Sequence, residues 1–239
     1  NAWPFGLLPG TEFSFEKLRV FGVLQRIAIC VLVGGIVLRR FLTVKGLVSV
    51  LILIAAVYEI GMRVPLVHTV ASAQMHIVCS ESPALPCAMD GFFGRSFALG
   101  DNFARFVDTS ILPSAMLYNV QKIPFDPEGL FTSLTAIMTF LLGGLTCRIS
   151  GYAAKAMRHR LVLALVLCAL GIAVLGIEPL NKNLWTLPYV LLTGAAGILL
   201  LGALGKINTR EPNLLYRLSI PLANMGRNPL LIYVLSGIV

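Results

Sequence analysis

The stretch FDPEGLFTSLTAIMTFLLGG, Phe125 to Gly144, runs from an acidic turn sequence directly into an apolar helix. Asp is a strong helix N-cap, and proline is favoured at the first helical position, where its missing N–H is no loss. Glu128 adds a negative charge beside the positive helix end. The sequence therefore predicts a helix capped by Asp126 with Pro127 at its first position, its membrane span running from Gly129. Capping accounts for Asp126, but it does not require a glutamate at 128. That carboxylate stands open as an arginine partner, a general base or a substrate contact. Thr132, Ser133 and Thr135 follow within two turns and read as groups that hydrogen-bond between neighbouring apolar helices.

The rest of the chain matches this stretch. Hydrophobic residues make up 57% of it and charged residues 13%, against about 25% charged in an ordinary globular domain. Mean hydropathy is +0.85. Such a chain has too much apolar surface for a water-soluble core and belongs in a bilayer, where a span takes roughly 17–25 mostly apolar residues. Five segments meet that requirement: Val20–Leu38, Gly46–Met62, Gly129–Cys147, Leu161–Ile177 and Leu184–Gly205. A sixth starts near Ser219 and is cut off at Val239. The expected fold is an all-α polytopic transmembrane bundle of about five complete spans plus a truncated sixth. It reads as a single domain over residues 1–239, with an extracytoplasmic segment at 63–126. No internal repeat is visible. No signal peptide is visible either. The opening at Asn1 and the close at Val239 inside an apolar run read as cuts from a longer protein.

The net charge of +8 is a topology signal. Arg39, Arg40 and Lys45 lie in the first link between spans, Arg148, Lys155, Arg158 and Arg160 in the third, and Lys206, Arg210 and Arg217 in the fifth. Basic residues in short links mark the cytoplasmic side. No nucleic-acid module accompanies them, and nucleic acid is not an expected partner. The long 63–126 segment and the 178–186 link then face outside. The former is too long for a plain connector and reads as short helices over the outer mouth of the bundle. It holds Cys79 and Cys87, disulfide candidates in an oxidising compartment. Cys30, Cys147 and Cys168 read as small core residues. His68, His76 and His159 read as surface histidines, and no metal-ligand spacing occurs.

Ionisable groups within spans are expensive and usually mark function. Arg19 and Arg26 are seven residues apart, on about one helical face, with Gln25 beside the second. A guanidinium facing a bundle interior grips a phosphate or carboxylate bidentately. The plainer readings are that Arg19 snorkels and that Arg26 pairs with a buried carboxylate. In the outward link EPLNKNLWT, Asn181, Lys182 and Asn183 offer donors, and Trp185 suits an interfacial belt. By topology this link shares the outer face with Arg19 and Glu128. In the last span, Asn224, Gly226, Arg227 and Asn228 precede Pro229, which bends an apolar helix and frees carbonyls.

The segments RVFGVLQRIAIC, FDPEGLFTSLTAIMTFLLGG, PLNKNLWTLPYVLLTG and MGRNPLLIYVLSG occur in this order. Together they resemble the C-terminal half of the heparan-α-glucosaminide N-acetyltransferase family and its bacterial relatives, over about Leu18 to the end and most weakly between His68 and Gly100. The resemblance implies a membrane acyltransferase that moves an acetyl group from acetyl-CoA, as co-substrate and without a metal, across the membrane to an amino sugar or other glycan acceptor on the outer side. It implies Glu128 as the catalytic candidate. It further implies Arg19, Gln25, Arg26, Asn181, Lys182, Asn183, Trp185, Asn228 and Tyr233 as residues lining the substrate or acyl-CoA site. The family's catalytic histidine lies upstream of the RxxGVLQR motif, so activity is expected of the full-length protein and not of this chain alone. The location implied is a bacterial inner membrane, or the lysosomal membrane in a eukaryote, and a homo-oligomer is compatible with it. A polytopic transporter and a non-catalytic membrane subunit are the alternatives.

Overall fold

The structure, a computed structural model, describes residues 20–63, 97, 102–113, 116–120, 123–150, 156–204, 220–221, 223–224 and 226–228. Arg19, Cys79, Cys87 and Tyr233 lie outside the described residues. Among the described residues six helices carry the fold: α1 (Val23–Arg40), α2 (Val44–Met62), α3 (Phe103–Ile111), α4 (Thr132–Ser150), α5 (Ala156–Leu175) and α6 (Leu187–Leu204). The described residues at 220–221, 223–224 and 226–227 are also helical, and one small antiparallel ribbon pairs β1 (Asn119–Val120) with β2 (Ile123–Pro124), Asn119 opposite Pro124. The expectation of an all-α bundle is met in this form. Helices α2, α4, α5 and α6 are long and apolar enough to cross a membrane, and the protein is an integral membrane protein. Helix α1 has 18 residues but carries Arg26, Arg39 and Arg40.

Helix α4 is the axis of the bundle. Its span is 56% buried, against 17% for α5, and it packs against α1, α2, α5 and α6. Leu141, Leu142 and Leu145 on α4 meet Leu47 and Leu51 of α2, Ala164 and Leu167 of α5, and Val190 and Ile198 of α6 in one core. The outward faces stay apolar: Ile52 and Ile60 on α2 and Leu165, Leu170 and Ile172 on α5 are exposed. In water such faces would be costly; against lipid chains they are the expected surface.

Local chemistry fixes the helix ends. Thr43 caps α2 by accepting the Gly46 N–H at 3.1 Å. Asn102 caps α3 by accepting the Arg105 N–H at 2.8 Å. At the C-terminal end of α1, the guanidinium of Arg148 on α4 donates to the carbonyls of Leu38 and Phe41. It satisfies acceptors that every helix end leaves open. Ser133 and Thr135 do not bond between helices as expected from the sequence. Ser133 donates to the Gly129 carbonyl at 2.8 Å and Thr135 to the Thr132 carbonyl at 3.0 Å, within their own segment. Back-bonding of this kind satisfies a hydroxyl locally, so no neighbour is required.

The expected start of α4 is corrected as well. The helix begins at Thr132, not at Pro127, because Asp126 caps a turn rather than a helix. Its Oδ1 accepts the Glu128 N–H at 3.0 Å, its Oδ2 accepts the Tyr118 N–H at 3.3 Å, and its carbonyl accepts the Gly129 N–H at 3.0 Å. The β1–β2 ribbon brings Tyr118 back beside it, where the Phe125 N–H also donates to the Tyr118 carbonyl at 2.9 Å. Pro127 thus sits at the second position of a turn, where its fixed φ also fits.

Near this turn Phe131 stacks on Tyr58 at 5.5 Å and meets Phe103 edge-on at 4.9 Å. Gly61 faces that aromatic cluster: a Cβ there would lie 2.5 Å from Phe131 Cζ and 3.2 Å from Phe103 Cδ1. At Gly35 a Cβ would meet nothing within 4 Å. Overpacking costs about 1–3 kcal/mol, whereas Gly→Ala within an open helix face gains up to about 1 kcal/mol. Gly61→Ala is therefore expected to lower the melting midpoint in detergent by about 3 °C or more, and Gly35→Ala to leave it unchanged or raise it. Equal midpoints for the two variants would contradict the packing described.

Candidate functional site

Arg26, on the first turn of α1, is the centre of the site. It is 7% exposed. Its Nη2 donates to the Pro127 carbonyl and to the Thr132 hydroxyl. Its guanidinium carbon lies 5.0 Å from the centre of the Trp185 ring. A buried cation needs such compensation, since desolvating it alone costs several kcal/mol. Carbonyl, hydroxyl and π face supply it directly, and Glu128, Asp126 and Asp108 lie within electrostatic reach, Glu128 acting most strongly of the three. The Nε of Arg26 has no hydrogen-bond partner. The guanidinium is therefore held at one edge only.

Trp185 reaches Arg26 because the 181–186 turn is built for it. The Asn181 carboxamide oxygen accepts the N–H groups of Asn183 at 2.9 Å and Leu184 at 3.3 Å. The Asn181 N–H donates to the Thr186 hydroxyl at 3.1 Å, which itself donates to the Pro179 carbonyl at 2.9 Å. The turn throws Trp185 into the left-handed region, at φ 53°, the one non-glycine residue there among those described. That conformation costs a tryptophan of order 1–2 kcal/mol. It is held by the Trp185 N–H on the Lys182 carbonyl at 3.3 Å, by indole Nε1 on the Thr139 hydroxyl at 3.0 Å, and by Tyr189 packed edge-on at 5.1 Å.

Of the residues expected at the site, the structure brings together Arg26, Trp185 and the turn that carries Glu128. Glu128 is half-buried, and its backbone N–H is used in the turn. Asn181 shapes the turn beneath Trp185. Asn183 is half-buried, while Gln25, Lys182 and Asn228 are exposed. Among the described residues no group of three or more His, Cys, Asp or Glu side chains could hold a metal.

Three buried residues at this end are not singled out by the sequence. Tyr58, near the end of α2, is fully buried, and its hydroxyl donates to the Leu184 carbonyl at 2.8 Å. Asp108, on α3, is fully buried. Burial pushes its carboxyl up to about 7, against the lowering effect of the Leu130 N–H; Asp126 adds to the rise and Arg26 opposes it. Glu178 is 2% exposed, and neither of its carboxylate oxygens makes a hydrogen bond of normal geometry. Burial pushes it up to about 7 too, although the Leu187 N–H at the start of α6 and Arg63 both pull it down. Arg63 is shared with Glu59, one turn back on α2. Glu178 stands in the quoted EPLNKNLWT segment, but only its burial distinguishes it from an ordinary surface glutamate.

No protein-family model matches the chain, and no curated protein matches it.

Glu178 makes stability depend on pH. Below its ordinary value of 4.5 the carboxyl is protonated folded or unfolded, and no charge is buried. From pH 4.5 to about 7 the unfolded chain releases the proton while the folded chain retains it, so stability falls as pH rises. Above that window the full penalty stands, roughly 3 kcal/mol at 1.36 kcal/mol per unit. Glu178→Gln is expected to raise the melting midpoint clearly at pH 8 and far less at pH 5. A gap independent of pH would show that the carboxyl is not buried as described.

Proposed function

We propose that this chain is part of a membrane acyltransferase that moves an acetyl group from acetyl-CoA to an amino sugar or other glycan at the outer face. In this reading α1 is a fifth span and the region from Ser219 a sixth. Arg39, Arg40, Lys45, Arg148, Arg158 and Arg160 mark the cytoplasmic end. The Arg26 junction is then at the outer end, with α3 across its mouth and the bilayer of a bacterial inner membrane around it. The observation that carries the reading is convergence. The VLQR, DPEG and NKNLW segments are far apart in sequence, yet Arg26 touches both the 126–132 region and Trp185.

The chemistry is consistent with that arrangement. In acetyl transfer to an amine, nitrogen attacks the thioester carbonyl, the C–N bond forms, the C–S bond breaks to release CoA, and the proton lost by the amine ends on the departing sulfur. Negative charge gathers on the carbonyl oxygen on the way, and fixed donors stabilise it. Arg26 supplies a cation whose second edge is uncommitted, and Trp185 supplies a flat apolar wall. Glu128 supplies a carboxylate for the acceptor amine. The histidine that the resemblance assigns as base belongs upstream of the VLQR motif, so the assay requires the full-length protein.

The hydrogen bonds that hold Arg26 end on a carbonyl and a hydroxyl. Glu128→Gln leaves both acceptors in place and keeps the side chain's length, removing only its charge. In membranes containing the full-length protein, acetyl transfer to glucosamine is expected to fall about 10- to 1000-fold in Glu128→Gln and in Arg26→Lys. Wild-type transfer in both variants would remove the junction from the site. Sugar uptake into proteoliposomes without any acetyl donor would favour a transporter instead.

A further inference from the structure

We infer that α3 is a strap over the junction, and that Asp108 is a positioning residue that sets the 126–131 turn and, through it, Arg26. The inference relies on the acyl-transfer reading for its activity readout only; its geometry is independent of that reading.

Helix α3 grips residues 129–131 in three ways. Asp108 Oδ1 accepts the Leu130 N–H at 2.9 Å. Asp108 Oδ2 lies so close to Gly129 that a Cβ there would fall 1.9 Å from it. One and a half turns earlier on α3, Phe103 meets Phe131 edge-on at 4.9 Å. The gripped residues sit between Pro127 and Thr132, the two acceptors of Arg26, and next to Glu128. Asp108 makes no hydrogen bond to Arg26, so its effect on Arg26 geometry is carried by the backbone between them. Helix α3 is also suited to one-sided packing. Ala104 and Asp108, one turn apart, are fully buried, while Phe106 and Ile111 are exposed. Its start is fixed by the Asn102 cap.

Asp108 needs an acceptor oxygen for this role, not a charge. Burial keeps its carboxyl protonated up to about 7, and a neutral carboxyl or carboxamide accepts the Leu130 N–H equally well. Asp108→Asn is therefore a conservative replacement, whereas Asp108→Ala takes the acceptor from the part-buried Leu130 N–H.

Two measurements on the full-length protein test the strap. In the transfer assay, Asp108→Ala is expected to lower kcat about tenfold or more with little change in KM, since small misplacements of a reacting group act on kcat. Asp108→Asn is expected to stay within about threefold of wild type. In a double-mutant cycle on the melting midpoint, the loss caused by Asp108→Ala is expected to shrink by about half or more in an Arg26→Lys background, because the two act through one turn. Strictly additive losses, or an Asn variant as impaired as the Ala variant, would overturn the strap. If wild type transfers no acetyl group, the acyl-transfer reading fails and the cycle alone decides the strap. Should Asp108→Ala fail to fold, Asp108→Ser serves in its place, since its hydroxyl is too short to reach the Leu130 N–H.

Discussion

One buried guanidinium organises this end of the bundle. Arg26 is buried on α1, and an uncompensated cation there would cost several kcal/mol, a large share of a typical domain's stability. Three segments supply the compensation: Pro127 from the turn before α4, Thr132 from the first turn of α4, and Trp185 from the turn before α6. The arginine requires them, and in satisfying it they become fixed relative to one another.

The two turns are also tied together without Arg26. Phe131, which ends the first turn, stacks on Tyr58, and the Tyr58 hydroxyl donates to Leu184, next to Trp185. Thus α2 braces from one side what α1 braces from the other. At the basic end a second arginine does a different job. Arg148 spends its donors on the open carbonyls of α1, which is helix capping by a side chain and leaves a stable end, not an organised chamber. The contrast separates the two arginines physically. Arg148 completes hydrogen bonds that any helix end lacks, whereas Arg26 joins groups from separate segments.

Much of the bundle is legible in the sequence, because hydropathy over a span length is a strong signal with few competitors. The α2, α4, α5 and α6 spans fall within a few residues of the segments read from composition. The start of α4 is not legible, for an identifiable reason. A cap is predicted from a residue's own preference, and Asp126 fulfils that preference on a turn because the β1–β2 ribbon returns Tyr118 to its second oxygen. The meeting of Arg26 with Trp185 is legible as two polar clusters on one face, but the role of Asn181 is not. A short polar link reads as donors for a ligand until its carboxamide oxygen is seen accepting the backbone of its own turn. Asp108 and Glu178 are illegible for a third reason. A carboxylate in a link looks solvated, and only tertiary packing removes its water.

The packing that hides Asp108 and Glu178 also gives this end of the molecule its character. Each buried carboxyl lies beside one of the two turns, Asp108 on the 126–131 turn and Glu178 before the 181–186 turn. Each is pushed toward neutral pH by burial ahead of any partner. Both turns are therefore assembled against an electrostatic cost that a glutamine or asparagine would avoid. Stability alone does not favour carboxyls there, since a neutral isostere with the same hydrogen bonds would fold as well or better. Asp108 lies within electrostatic reach of Arg26 and Glu178 within reach of Arg63, so each turn carries a proton-sensitive group near a site whose own hydrogen bonds are made by a carbonyl and a hydroxyl. The rigid part of the junction and its titratable part are thus carried by different residues, and a change in proton occupancy at either carboxyl leaves the acceptors that hold Arg26 chemically unaltered.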